Sequence, residues 1–141
     1  MHLSPLLGAS LAIRLHAFAA LGAFGLGALQ LWLPKGTPRH RLLGWIWVAL
    51  MAGIALSSFA IHTICTFGPF SIIHLLSAVT LVALPVGVLH TRRHRVARHR
   101  RVMQLLFFGA LIVAGIFTLT PGRIMHDVVF GTAGIHGSCR L

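Results

Sequence analysis

Charge interrupts this chain at only a few places, and long apolar runs separate the interruptions. Between Arg14 and Lys35 lie twenty uncharged residues, 15–34. Between Arg41 and Arg92 lie fifty, 42–91, and between Arg101 and Arg123 lie twenty-one, 102–122. A helix crossing ~30 Å of hydrocarbon needs about 20 apolar residues. The first and third runs therefore predict one span each. The middle run predicts two, joined through Cys65-Thr66-Phe67-Gly68-Pro69-Phe70-Ser71, because Gly-Pro breaks a helix. The predicted spans are 15–33, 42–63, 71–90 and 102–120, with a tail over 121–141, in one membrane domain of 141 residues. The first span has no basic n-region, is as long as a full crossing and is followed by Pro34-Lys35, so it is expected to be a crossing and not a cleaved leader.

Composition sharpens the picture. Hydrophobic residues make up 57% and charged residues 9% of the chain, and mean hydropathy is +0.89. An ordinary soluble domain has about 25% charged residues. Twelve Lys+Arg stand against one acid, Asp127, giving a net charge of +11. A single carboxylate all but excludes paired-carboxylate hydrolysis, carboxylate-bridged metal sites and an acidic proton relay.

The basic residues predict orientation. Lys35, Arg39 and Arg41 precede span 2, and Arg92, Arg93, Arg95, Arg98, Arg100 and Arg101 precede span 4. Only Arg14, Arg123 and Arg140 fall on the other side. The positive-inside rule then places both basic connections in the cytoplasm and both termini outside. Short connections predict an all-α, up-down-up-down four-helix bundle in a bacterial inner membrane, with spans 1 and 3 on one diagonal and 2 and 4 on the other. Cys65 and Cys139 fall on the outer, oxidising side, where a disulfide is permitted and two unpaired thiols are the alternative.

Lipid offers little hydrophobic drive for helix association, so close packing needs small side chains. Ala19, Ala23 and Gly27 supply them on span 1, Ala49 and Gly53 on span 2, and Ala110 and Ala114 on span 4. Trp32, Trp45 and Trp47 are expected to form an interfacial aromatic belt.

Ten histidines are unusual in so apolar a chain. His16 and His74 fall ~25 Å and ~24 Å from the cytoplasmic ends of spans 1 and 3, at matched depth on diagonal helices. His62 lies nearby on span 2. His40 and His99 form a second matched pair at the cytoplasmic ends of spans 2 and 4. Facing imidazoles on diagonal helices suit bis-histidine ligation of haem iron, with His16 and His74 as the metal ligands. Interfacial histidines that only snorkel are the plainer alternative; quinone, headgroup or metal-ion sites are others. His90 and His94 have i,i+4 metal-ligand spacing, but the arginines around them would repel a cation. The same arginines are expected to meet the anionic leaflet instead of nucleic acid. An acidic protein partner is the alternative. Beyond span 4, residues 124–130 are expected along the outer surface, with Asp127 within reach of Arg123 if helical. The glycine-rich end is expected to be tied down only by a disulfide.

His40-Arg41-Leu42-Leu43-Gly44-Trp45-Ile46-Trp47, Phe67-Gly68-Pro69-Phe70-Ser71-Ile72-Ile73-His74-Leu75-Leu76-Ser77 and His99-Arg100-Arg101-Val102-Met103 resemble a family of small bacterial membrane proteins that carries only a domain-of-unknown-function label. The resemblance covers residues 38–130. It implies a four-helix inner-membrane protein, with the motif histidines at His40, His74 and His99, and it brings no activity. The paired-histidine arrangement is also similar to that of di-haem b-type cytochrome bundles, by architecture alone.

Two functional expectations result. One is a b-haem electron carrier ligated by His16 and His74, with His62 as substitute or supporting residue. In it, His40 and His99 serve a second haem or a quinone, and a redox partner is needed. The other is a membrane subunit or scaffold, homo- or hetero-oligomeric, that binds anionic lipid or a partner protein and is not an enzyme by itself. A transporter is disfavoured because the spans hold no carboxylate.

Overall fold

A computed structural model describes residues 8–60, 72–119 and 124–130. The described residues are helical apart from short connections and ends, and none lies in a strand. Four helices are long and apolar enough to cross a membrane: α1 (Leu11–Trp32), α2 (Pro38–Ala60), α3 (Ile72–Arg92) and α4 (Val96–Thr118). A short α5 (Ile124–Phe130) follows. The 22 residues of α1 extend ~33 Å at 1.5 Å per residue, about one hydrocarbon thickness.

The helices overrun the limits that charge had suggested. α1 starts before Arg14, where Ser10 Oγ accepts from the Ile13 amide at 3.4 Å. α2 starts at Pro38, four residues before the predicted 42, because Thr37 caps it. Thr37 Oγ1 accepts from the His40 amide at 3.1 Å, and proline at the first helical position lacks an amide that would go unused there. The basic connection between spans 3 and 4 shrinks to three residues, 93–95, with His94 in a left-handed conformation at φ 55. Arginine is a good helix former, and its long stem lets the charge reach water from within the helix. A charge therefore marks the membrane edge and not the helix end.

Around the interior, α1 packs on α2, α2 on α3 and α3 on α4, and the middle of α4 touches both α3 and α1. The core joins Ala23 of α1, Trp47 and Met51 of α2, Leu84 of α3, and Leu106, Phe107, Ala110 and Leu111 of α4. Trp47 is the main correction to the sequence reading. Trp32 and Trp45 are 89% and 55% exposed, but Trp47 is only 5% exposed. Its indole N–H donates to the Ala23 carbonyl at 3.0 Å. The small residues of α2 also differ from expectation. Ala49 and Gly53 are exposed, while Trp47, Met51, Ala55 and Ser58 form the buried stripe. Large side chains on α2 thus fill the space left by Ala23 and Gly27 on α1. Ala110 of α4 is buried as its small size suggests.

Two irregularities interrupt the helices, of which only the proline is visible in the sequence. Leu106–Ile112 of α4 is π-helical, a widened turn that buries the adjacent pairs Leu106/Phe107 and Ala110/Leu111. Pro85 sits inside α3, removing one amide from its ladder. The predicted 2–3 turn, His62, Cys65, Cys139, the Arg123 partner of Asp127 and the glycine-rich end lie outside the described residues.

Candidate functional site

Polar side chains inside the helices gather in two places. The first lies where α2 ends and α3 begins. Ser58, His74, Ser77 and Thr80 are all buried there. The Ser58 and Ser77 hydroxyls lie 2.6 Å apart across α2 and α3, and Ser58 Oγ is 2.7 Å from the Ala55 carbonyl. Thr80 Oγ1 donates to the Leu76 carbonyl at 2.8 Å. Hydrogen bonds between helices replace the water that lipid cannot supply.

His16 joins this layer from α1. Its Nδ1 lies 2.7 Å from Ser57 Oγ, and Ser57 in turn donates to the Ile54 carbonyl at 3.0 Å. A hydroxyl has one proton to give. With that proton on Ile54, the imidazole must donate from Nδ1, which leaves the Nε2 lone pair of a neutral His16 as an acceptor or ligand.

His74 reaches α2 two residues away. Its ring lies 5.5 Å from that of Phe59, tilted by 51°. Positions 57 and 59 differ by ~3 Å in height but by about 200° around the helix axis. The two imidazoles thus meet α2 at one level on different sides. Among the described residues, no group of three or more His, Cys, Asp or Glu could hold a metal ion. Sequence reasoning passed over Ser57, Ser58, Ser77 and Thr80. The available signals were Ser57-Ser58 inside an apolar run and the i, i+3, i+6 spacing of His74, Ser77 and Thr80 on one helix face.

The second gathering is at the arginine end. His99 Nδ1 donates to the Gly87 carbonyl at 2.9 Å, which binds the start of α4 to α3. His40 lies within electrostatic reach of His99 and of Lys35. Gln30 Nε2 donates to the His40 carbonyl at 3.1 Å. Lys35 Nζ donates to the Leu31 carbonyl at 2.6 Å. Three buried atoms here, Gln30 Oε1, His40 Nδ1 and His90 Nδ1, make no hydrogen bond among the described residues. Arg92, Arg93, Arg95, Arg98, Arg100 and Arg101 are all exposed around the three-residue turn. His90 and His94 belong to the same segment, and the turn is closed by backbone bonds from Arg95 to His90 at 2.8 Å and from His94 to Thr91 at 3.0 Å.

What this arrangement offers chemically is asymmetric. One end of the helices presents a dense cationic face to solvent or headgroups. The other holds a small, hydrogen-bonded polar layer with two imidazoles. Comparison with family models, curated proteins and solved structures returned no match.

Proposed function

We propose that the protein is a non-catalytic subunit or scaffold of a bacterial inner membrane, threaded up-down-up-down with both termini outside. Its arginine-rich turn lies on the anionic cytoplasmic leaflet. The observation that carries this reading is the turn and its flanks: six exposed arginines in and beside the three-residue link between two membrane-length helices. The one acid, Asp127, belongs to α5 and not to that turn. Basic residues held near an anionic surface contribute about 1 kcal/mol each. The threading draws support from the order of contacts along α1 and α2. His16 meets Ser57, Ala23 meets Trp47 and Gln30 meets His40, so positions rising on one helix fall on the other.

Thermal unfolding in lipid nanodiscs tests the proposal. The protein should melt higher in discs containing phosphatidylglycerol than in phosphatidylcholine alone, by roughly 4 °C for each kcal/mol of attraction. Added salt should erase the gain, because exposed charges are screened beyond ~8 Å at physiological ionic strength. Replacing the six arginines with glutamine should erase it as well. Equal melting in both discs defeats the reading.

A second reading, the b-haem carrier, is favoured by one observation, the His16–Ser57 bond. A ligating histidine characteristically donates its other ring N–H to a neighbour, fixing the tautomer. His16 through Nε2 and buried His74 would hold the iron, and a bound haem would supply one-electron redox chemistry. Ser57 would orient His16, and Phe59 would pack against the His74 ring. Protein purified from haem-sufficient cells should then absorb near roughly 410–430 nm. His74→Ala should abolish that band. A colourless protein, or a band unchanged by the substitution, rules the carrier out.

A further inference from the structure

A groove of about 380 Å³ runs along the outer surface between α2 and α3, with Val48 and Ala52 on one wall and Leu84, Pro85 and Leu89 on the other. Its lining is apolar except at one end, where Arg92 closes it. Arg92 is the last residue of α3, exposed, and its guanidinium makes no hydrogen bond or ion pair among the described residues. Trp45 also lines the groove and is 55% exposed, with an indole N–H that makes no hydrogen bond among the described residues. A second groove of about 400 Å³, between α3 and α4, is lined by Ala78, Val79, Val82, Ala83, Val86 and Val102 and has no charged residue.

We infer that the α2–α3 groove is a binding site for one anionic phospholipid. An acyl chain lies against Val48, Ala52 and Leu84, and the phosphate sits on Arg92. The charge pattern selects this occupant. A partner helix would cover the apolar walls but leave Arg92 uncompensated, whereas a phosphodiester accepts two N–H bonds from one guanidinium. Leu89 lies three residues, ~4.5 Å, inward from Arg92 along α3, on the acyl side of a phosphate held there. Trp45 supplies an N–H for an ester carbonyl, as interfacial tryptophans do with their amphipathic rings. Pro85 in the groove wall has no backbone amide to leave unsatisfied. The site deepens the leaflet reading above and rests on it, by naming where a single lipid is held and not merely attracted.

Native mass spectrometry of the detergent-solubilised full chain, given equal amounts of phosphatidylglycerol and phosphatidylcholine with matched chains, tests the site. Wild type should retain one phosphatidylglycerol in preference. Arg92→Gln should lower that preference about fivefold, the weight of one basic residue at an anionic surface. Trp45→Phe should weaken retention of both lipids. Arg39→Gln, exposed but outside both the groove and the arginine-rich turn, should leave both properties unchanged. The deacylated headgroup, glycerophosphoglycerol, should not displace the bound lipid. Equal retention of the two lipids by wild type, a preference unmoved by Arg92→Gln, or displacement by the deacylated headgroup each overturns the groove site. Those results leave the nanodisc melting difference standing, and only its loss would defeat the leaflet reading too.

Discussion

Gly27→Ala is expected to loosen three helices at once. A Cβ at position 27 would lie 2.6 Å from Phe107 Cδ2 and 2.7 Å from both Phe107 Cε2 and Trp47 Nε1. Neither neighbour is a loose side-chain end. Phe107 stacks on Phe24 with centroids 5.8 Å apart and meets Phe108 edge-on at 5.1 Å. Trp47 is held by its bond to the Ala23 carbonyl. Overpacking of this kind costs about 1–3 kcal/mol, against a gain of roughly 0.8–1.0 kcal/mol from replacing glycine with alanine in a helix. The net should be a loss, and Gly27→Val should lose more. Gly53→Ala is the control, because nothing lies within 4 Å of a Cβ there. It should raise stability by up to about 1 kcal/mol. Unfolding in a denaturing-detergent titration reads both, and a stabilised Gly27→Ala would disprove the three-helix crossing.

The second large effect is at Trp47. Trp47→Ala empties the centre of the core, where the indole packs with Met51, Leu84 and Phe107. In soluble proteins, emptying an aromatic site costs about 3–5 kcal/mol. Here the lower end of that range is expected, since the competing environment is lipid and not water, and lost packing remains the main term. Trp47→Phe separates the ring from its hydrogen bond. The Ala23 carbonyl retains its place in the helical ladder, so losing the indole donor orphans no buried acceptor. That variant should cost only about 0.5–1.5 kcal/mol. The same titration, with tryptophan fluorescence of Trp32 and Trp45 as a reporter, checks both. A Trp47→Ala protein as stable as Trp47→Phe would mean that the ring fills nothing.

Both predictions rest on Gly27 and Trp47, and the sequence treated them differently. Gly27 stood out in the small-residue stripe of α1, because small residues recurring every four positions fall on one helix face. Trp47 looked like a belt residue because it sits near other tryptophans and near the basic end. Position along a helix fixes depth, but the face is fixed only by which neighbour has room for the ring. The room comes from Ala23 and Gly27 on another helix, so Trp47 could be placed only once α1 and α2 were packed. Ala49 and Gly53 mislead for the same reason: small side chains permit contact without requiring it.

The two histidine pairs divide along similar lines. Depth arithmetic puts His16 and His74 at one level, and their contacts with Ser57 and Phe59 fall within two residues on α2. Azimuth is another matter, since it depends on how α1 and α3 are rotated about α2. Ser57 and Ser77 each make a hydrogen bond to another helix, and the spacing that puts Ser77 on the His74 face does not say which helix that face meets.

By itself the sequence determined four membrane-length helices and which end of them is cationic. Those properties follow from counts of apolar and charged residues between breaks, which transfer to any environment as oily as a bilayer. The tertiary structure alone decided which tryptophan is interior, where α4 widens into a π turn, how short the basic turn is, and that a groove between α2 and α3 ends at Arg92. Each of these depends on the shape one helix presents to the next, and shape complementarity between segments distant in the chain leaves no periodic trace in either segment alone.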